Sequence, residues 1–385
     1  MIEIRTVDEL SVDGARVFCR VDYNVPLEGS TITDATRIEA TLPTLRLLRE
    51  RDTVVVLASH LGRPKGQRNE KYSLKPVRAK LAELIGADVQ FANDCVGPEA
   101  EQKAAQLKTG QLLLLENLRF HAEEENNDAR FAAQLRKLAD FYVNDAFGAS
   151  HRAHASIEAL PLLFPLDHTA GGLLLANEIE FLQKITNVSD RPFVALLGGA
   201  KIAGKIDPLE ALVKLADTVL IGGGMANTFL AARGVKMGAS LVDKESIEVA
   251  KGIPASKVVL PVDLVLEDSS VVEVSKGLRD DQKALDIGPK TIGAFESAVK
   301  RARTVFWNGP MGMFEKKEFA KGTMAMARAV AEADAITVVG GGESVEAVKE
   351  SGYADRISHI STGGGASLEF IAGAKLPGIE VLRTS

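Results

Sequence analysis

Cationic side chains occupy four turns in the first half of the chain, each directly after a short apolar run. These turns span residues 20–26, 59–64, 116–120 and 144–154. A further cation, Arg37, lies in a polar turn at residues 33–37. One arginine alone is typical of a solvated surface, but four such turns in one half predict a shared cationic site. Guanidinium groups match carboxylate and phosphate geometry, so we expect a small, phosphorylated, oxygen-rich ligand whose hydroxyl groups bind Asp22 and Asn24.

Glycine-rich turns replace the cationic ones in the second half. They span residues 198–201, 222–225, 308–312, 340–343 and 362–365. Glycine lets backbone N–H groups approach a ligand closely, and helix N-termini favour anions. Each triple glycine can be explained alone as a tight turn between a strand and a helix. Three of them in one half predict that nucleotide phosphates lie against neutral amides, with Lys201 and Lys205 adding charge.

Two familiar nucleotide-binding fingerprints and a zinc pattern are absent. The dinucleotide pattern GxGxxG fails because Asn227 and Val345 stand at its final position in the two candidate turns. The phosphate-loop pattern nearly fits from Gly199 to Lys205, but Ile206 replaces the required hydroxyl, so we interpret that match as accidental. The His–Arg–x–His spacing at residues 151–154 is not a zinc pattern. Anion contact is favoured for His60 over His154, which could equally be structural.

The runs that precede these turns alternate with helical segments. Predicted strands include residues 54–58, 112–115, 141–143, 193–197, 218–221, 258–260, 304–307 and 336–339, and predicted helices include 74–84, 129–139 and 324–333. Alternation of this kind is typical of α/β proteins with doubly wound parallel sheets, in which ligands bind at the carboxyl ends of the strands. A helix at residues 173–185 would join two such domains, although it could also be one more surface helix of a single sheet.

Length and composition bound the protein class. At 385 residues, with 46% hydrophobic and 25% charged residues, the chain is ordinary globular protein and long enough for two domains. Its net charge of −6 argues against nucleic acid as a partner. Cys19 and Cys95 are too few for a disulfide framework and too far apart for a zinc motif, and we expect Cys19 to be packed. With no leader and no apolar run of ~18 residues, we expect a soluble, cytoplasmic protein with no membrane partner.

A series of segments, in order along nearly the whole chain, resembles the phosphoglycerate kinase family. The matching segments are residues 20–26, 59–66, 116–120, 151–156, 198–201, 307–315 and 359–367. The resemblance implies reversible transfer of the acyl phosphate of 1,3-bisphosphoglycerate to ADP, giving 3-phosphoglycerate and ATP, with Mg²⁺. It also implies a monomer with two Rossmann-like domains joined by a hinge helix. We therefore expect a glycerate domain at residues 1–170, the hinge helix at 171–186, a nucleotide domain at 187–372, and a tail at 373–385 that returns to the first domain.

The resemblance also assigns residues to roles. The glycerate would be held by Asp22, Asn24, Arg37, His60, Leu61, Gly62, Arg63, Arg119 and Arg152. The nucleotide would be held by Lys205, Gly288, Glu315, Gly340, Gly341, Gly342 and Glu343, with Glu315 on the ribose hydroxyls and Glu343 as a metal contact. The phosphoryl group in transfer would be surrounded by Arg37, Lys201 and the amides near Gly364.

This chain departs from the family pattern at Glu343 and Gly204, where aspartate is usual, and at Ala149-Ser150, where Thr-Ala is usual. The longer Glu343 puts the metal or phosphate geometry in question. Two alternatives to a kinase follow: a nucleotide or metabolite sensor without catalysis, and a nicotinamide dehydrogenase of the same α/β layout. Tight nucleotide binding without turnover would favour the sensor, and nicotinamide binding would favour the dehydrogenase.

Overall fold

The structure, a computed structural model, describes residues 2–384. The chain folds into two compact units. Unit 1 comprises the residues up to Glu180 together with those from Lys375 onward, and unit 2 comprises Phe181–Ala374. The helix Leu173–Thr186 crosses this division. Each unit contains a six-stranded parallel sheet, so the prediction of an α/β protein with two doubly wound domains is confirmed. No helix among the described residues is long and apolar enough to cross a membrane.

The sheet of unit 1 has the strand order β5-β6-β4-β1-β7-β8. The strands of this unit, including a small β2-β3 hairpin, are β1 (Arg16–Val21), β2 (Leu27–Glu28), β3 (Thr31–Ile32), β4 (Val54–Ala58), β5 (Val89–Ala92), β6 (Leu112–Leu115), β7 (Phe141–Asp145) and β8 (Thr169–Gly171). Every residue of β4 and β6 is buried, as expected for strands covered on both faces. Cys19 lies in this core with no exposed surface, which confirms its predicted packing.

Helices cover both faces of the sheet in unit 1. They are α1 (Thr36–Glu39), α2 (Leu42–Glu50), α3 (Lys75–Ile85), α4 (Pro98–Gln106), α5 (Ala122–Glu125), α6 (Ala129–Arg136), α7 (Leu173–Thr186) and, from the C-terminal segment, α15 (Pro377–Glu380). The C-terminal segment is anchored at the end of β7, because Gly378 donates its N–H to the Ser150 carbonyl at 2.9 Å and accepts from Asn144 Nδ2 at 3.0 Å.

Unit 2 has a parallel sheet of order β11-β10-β9-β15-β16-β17 and a separate antiparallel sheet of order β13-β12-β14. Its strands are β9 (Phe193–Leu197), β10 (Thr218–Ile221), β11 (Val258–Val259), β12 (Asp263–Leu266), β13 (Val271–Glu273), β14 (Ala284–Ile287), β15 (Thr304–Asn308), β16 (Ile336–Gly340) and β17 (His359–Ile360). Its helices are α8 (Ile206–Leu215), α9 (Gly223–Ala232), α10 (Ile247–Gly252), α11 (Pro289–Lys300), α12 (Lys321–Glu332), α13 (Gly342–Glu350) and α14 (Gly364–Ile371).

The antiparallel sheet is the part of unit 2 that the alternating pattern did not predict. Strands β12 and β13 are joined by a tight turn in which Ser269 has φ +64° and Ser270 donates to Asp268 Oδ1 at 3.0 Å. So short a connection allows only antiparallel pairing, since parallel neighbours need a long crossover. This small sheet supplies one wall of the cavity described below.

Candidate active-site cavities

The four turns that the sequence predicts to be cationic come together around a cavity of about 220 Å³, but only three of them supply a cation to it, because Arg20 of the first turn is fully buried in β1. They follow β1, β4, β6 and β7, which are neighbours in the sheet, so their carboxyl ends share one edge. The residues that line the cavity are Asp22, Asn24, Arg37, His60, Gly62, Arg63, Arg119, Gly148, Ala149 and Arg152. All the residues expected to hold the glycerate are therefore brought together here except Leu61.

Leu61 lies beneath the cavity rather than on its lining. Its side chain is buried, its N–H donates to Asn117 Oδ1 at 3.2 Å, and its carbonyl accepts from Asn117 Nδ2 at 2.8 Å. These bonds anchor the turn that carries His60 and Arg63. Gly148 and Ala149 line the cavity although no role was expected for them.

Several lining side chains are held in place by one another. Arg37 Nη1 lies 3.2 Å from Asp22 Oδ2 and donates to the Asn24 carbonyl at 3.1 Å. Asn24 Oδ1 accepts the N–H of Gly62 at 2.8 Å, and Arg119 Nη1 donates to the Gly62 carbonyl at 2.8 Å. The cavity is thus organised by hydrogen bonds within the chain, which lowers the cost of ordering side chains when a ligand binds.

The positive charge of this cavity resides on arginines, because His60, the histidine in its lining, is held neutral. Burial lowers the pKa of His60 well below its usual range, and the charges of Arg20 and Arg119 act in the same direction. Burial and the nearby arginines also lower the pKa of His154 to about 3. Arg119 keeps its charge near neutral pH, although burial lowers its pKa to about 10. The cavity therefore presents guanidinium groups, which suit carboxylate and phosphate oxygens.

A buried ionic network beneath the cavity was not anticipated. Arg20 has no exposed surface, donates from Nε to Ser156 Oγ at 2.8 Å, and places Nη2 3.3 Å from His60 Nδ1. Glu124, also fully buried, lies 3.9 Å from Arg20 and accepts from the N–H and the hydroxyl of Ser156 at 2.9 and 2.6 Å. The sequence contains one indication of this network, which is an arginine near the end of the apolar run of β1. A buried charge requires a partner, so this arginine predicts a buried acidic residue.

In unit 2 three of the glycine turns, at residues 198–201, 222–225 and 308–312, border a cavity of about 420 Å³, whereas the last two turns contribute only Glu343 to its lining. Its lining is mostly apolar or glycine backbone, and it includes Gly199, Ala200, Gly223, Gly224, Leu241, Leu264, Ala284, Leu285, Ile287, Met311, Gly312, Met313, Glu315 and Glu343. An apolar cavity with a few polar groups at its margin is typical of a site for a small molecule or cofactor. The cavity contains both predicted acidic contacts, Glu315 and Glu343.

Glycine is required in these turns because their backbones pack directly against each other. A Cβ on Gly198 would overlap the carbonyl oxygen of Pro310, and one on Gly224 would lie 2.5 Å from the carbonyl oxygen of Ala200. Gly223 additionally has φ +62°, in the region that favours glycine. The sequence predicts that these glycines let the backbone approach a ligand closely. In the structure they let the backbones of neighbouring turns approach each other.

The remaining predicted nucleotide residues differ in position. Lys205 is half-buried, with Nζ 3.3 Å from the Gly198 carbonyl oxygen and 3.2 Å from Asn308 Oδ1, whereas Lys201 is exposed. Burial lowers the pKa of Lys205, and Glu343 opposes that shift. A Cβ on Gly364 would lie 2.9 Å from Gly341 Cα, so the last two glycine turns are adjacent.

Gly288 lies outside the cavity lining. It precedes α11 and donates to the Asp263 carbonyl at 2.9 Å, and its missing side chain makes room for the Asp263 carboxylate. The residues just before it, Ala284, Leu285 and Ile287, line the cavity instead.

Comparison with known proteins decides the family. A sequence model of the family described as Phosphoglycerate kinase matches residues 7–374. The chain belongs to the phosphoglycerate kinase family. It is 52% identical to the phosphoglycerate kinase of Moorella thermoacetica over 98% of both chains. It is 48% identical to that of Thermomicrobium roseum over 98% of this chain and 99% of the relative.

Solved structures of the family support the same assignment at the level of the fold. Phosphoglycerate kinase from Coxiella burnetii has a TM-score of 0.88 and 34% identity over 99% of both chains. The enzyme from Pyrococcus horikoshii has a TM-score of 0.88 and 33% identity over 99% of this chain and 98% of its own. The prediction of a phosphoglycerate kinase, a phosphotransferase of glycolysis, is confirmed, and the sensor and dehydrogenase alternatives have no support.

Proposed function

We propose that the chain catalyses reversible phosphoryl transfer between 1,3-bisphosphoglycerate and ADP, with the glycerate in the unit 1 cavity and the nucleotide in the unit 2 cavity. The convergence of Arg37, Arg63, Arg119 and Arg152 on one cavity of about 220 Å³ carries this proposal. Guanidinium forks would bind the carboxylate and phosphate groups of the glycerate, and Asp22 and Asn24 its hydroxyl group. His60 would donate or accept a hydrogen bond without adding charge.

Different residues of unit 2 would bind the base, the ribose and the phosphates of the nucleotide. The base would lie in the apolar cavity between the glycine turns, and the exposed carboxylate of Glu315 would bind the ribose hydroxyl groups. The phosphates would meet Lys201, Lys205 and the backbone amides at Gly340–Gly342. Asn308 supports this placement, because its buried Nδ2 has no hydrogen-bond partner among residues 2–384 and lies beside the Gly341 turn.

The residues present also fit Mg²⁺ bound together with the nucleotide. Glu343 borders the cavity and offers an exposed carboxylate, whereas the oxygens of Asp286 accept the N–H groups of Ile287 and Gly322, both at 2.9 Å. Mg²⁺ is commonly held by one or two carboxylates plus substrate phosphates, so Glu343 suffices on the protein side. When bound, the ion would neutralise charge on the nucleotide phosphates.

The transfer would be direct, with no covalent intermediate on the enzyme. Two anionic substrates repel each other, so Arg37, Lys201 and the amides at Gly364 would surround the phosphoryl group as it passes between them. The reaction would need the substrates in line and water excluded, and we propose closure about the helix Leu173–Thr186 as the motion that achieves this. We propose that one chain suffices, as a monomer in the cytoplasm.

A coupled assay with 3-phosphoglycerate, ATP and Mg²⁺ tests the proposal. Wild-type chain should turn over and should stop when the cation is chelated. Arg37→Ala should lower kcat/KM about 10²–10³-fold, because a cation aimed at the transferred group is lost. Arg46→Ala, which removes an exposed arginine of α2, is the matched control and should leave the rate unchanged. Nucleotide binding without turnover, or full activity in Arg37→Ala, would contradict the proposal.

A further inference from the structure

Three side chains of unit 1 that line neither cavity combine the ligand types of a soft-metal site. Asp94, Cys95 and His121 each offer one potential ligand atom, and these atoms all lie within 4.8 Å of one another. Asp94 and Cys95 lie in the loop between β5 and α4, and His121 follows the turn Leu118–Phe120. The group is therefore assembled by tertiary structure from segments far apart in the sequence.

Two hydrogen bonds already hold the group together. His121 Nε2 lies 2.7 Å from Asp94 Oδ1, and the same oxygen accepts the N–H of Cys95 at 2.7 Å. The thiol is enclosed by protein, whereas the side chains of His121 and Asp94 are 28% and 47% exposed. A cation could therefore enter from the solvent side and meet the thiol at the inner end.

We propose that Asp94, Cys95 and His121 form a binding site for a thiophilic divalent cation such as Zn²⁺, with a fourth position open to water. Sulfur, imidazole nitrogen and carboxylate oxygen are the ligands that Zn²⁺ selects, and three protein ligands plus water complete a tetrahedron. Bonds of about 2.0–2.3 Å in that geometry place ligand atoms roughly 3.3–3.8 Å apart, so side-chain adjustments of about 1 Å close the site. Mg²⁺ prefers oxygen ligands and would not compete effectively.

Binding of the cation would displace protons from the thiol and the imidazole, so the net charge of the site would change little. The thiol must lose its proton to ligate, and the imidazole must give up the proton it shares with Asp94, so up to two protons leave per cation bound. Because ligation requires the deprotonated thiol and imidazole nitrogen, affinity should increase with pH.

Titration of the reduced, chelator-treated chain with Co²⁺ tests the site, because a thiolate ligand gives a charge-transfer absorption band that oxygen and nitrogen ligands do not. We expect one Co²⁺ per chain, displaced by Zn²⁺ but not by excess Mg²⁺. Calorimetry in two buffers of different ionisation enthalpy should show proton release on binding. This measurement uses the unaltered chain and needs no variant to fold.

Variants assign the ligands. Cys95→Ser should abolish the band, and His121→Gln should weaken binding at least tenfold, by analogy with the loss caused by groups that support metal ligands. Cys19→Ala removes the other thiol, which is fully buried in the core of β1, and should keep the band. Absence of the band in the wild-type chain, its survival in Cys95→Ser, or its loss in a folded Cys19→Ala would overturn the proposal, leaving only an Asp94–His121 ion pair.

Discussion

At the scale of single residues, burial and nearby arginines together keep His154, close to the unit 1 cavity, in its neutral form. His154 is almost fully buried among Arg119, Arg20 and Arg152, and its pKa is about 3 instead of the ordinary 6.5. Between these values the unfolded chain binds a proton at His154 that the folded chain does not. The stability contributed by neutral His154 is therefore fully present above pH 6.5 and is lost as the pH falls toward 3.

We predict that His154→Gln flattens the acid side of the stability profile. Between about pH 7 and pH 5, the variant should lose about 1–2 kcal/mol less unfolding free energy than the wild-type chain. Urea unfolding followed by circular dichroism at the two pH values measures the difference. His168→Gln is the control, because His168 stacks on Phe141 at 4.3 Å and lines neither cavity. Parallel profiles for wild type and His154→Gln would show that His154 titrates equally in both states.

At the scale of elements, one buried ionic network joins three of them. Arg20 belongs to β1, Glu124 to α5, and Ser156 to the π-helical turn Ala155–Ala159. Glu124 and Arg20 are both fully buried, so neither can be hydrated if its partner is removed. The geometry beneath His60 therefore depends on both charges being present.

We predict that Glu124→Leu destabilises the fold by about 3–5 kcal/mol, because it leaves the Arg20 charge buried and uncompensated. The double variant Arg20→Met/Glu124→Leu should recover most of that loss, since it removes both charges. Glu123→Leu, an exposed neighbour on α5, should change stability by no more than about 0.5 kcal/mol. Urea unfolding of the wild-type chain and the three variants measures these differences in stability. A double variant as unstable as Glu124→Leu would refute the pairing.

At the scale of the whole molecule, the chain returns to its first unit after completing the second. The segment from Lys375 belongs to unit 1, where Leu376, Ile379 and Leu382 are 2%, 1% and 1% exposed. Ile4 and Arg383 form an antiparallel bridge, so the two terminal regions pair within unit 1. The core of unit 1 is therefore incomplete until the last residues are in place.

We predict that Leu382→Ala lowers unfolding free energy by about 2–4 kcal/mol, as for other buried leucines. Leu162→Ala, at a leucine that is 66% exposed, should cost no more than about 0.5 kcal/mol. Circular dichroism follows the whole chain, and the fluorescence of Trp307, the single tryptophan, follows unit 2. Equal transitions for the two leucine variants would mean that the C-terminal segment contributes little to the core.

Local patterns in the sequence predicted most strands of the parallel sheets, although not β5, β8 or β17. The strands Val54–Ala58, Leu112–Leu115, Phe193–Leu197 and Thr218–Ile221 have the predicted bounds, while the helix expected at residues 129–139 ends at Arg136. Continuous apolar runs report burial on both faces of a sheet, and this signal lies within a few neighbouring residues. The cationic turns could be placed in one cavity for a similar reason, because consecutive parallel strands carry their carboxyl ends to the same edge.

What depended on contacts between distant segments was decided only by the tertiary structure. Leu61 and Gly288, both expected to contact a ligand, lie outside the cavity linings, where Leu61 bonds to Asn117 and Gly288 packs against Asp263. The antiparallel sheet of unit 2 was not predicted, because no helix separates β12 from β13 and the prediction relied on alternating strands and helices. Glu124 meets Arg20, and Cys95 meets His121, across separations that no local pattern spans. The sequence by itself determined the kind of chemistry and the parallel sheets, whereas burial and long-range pairing determined which of its polar residues line a cavity.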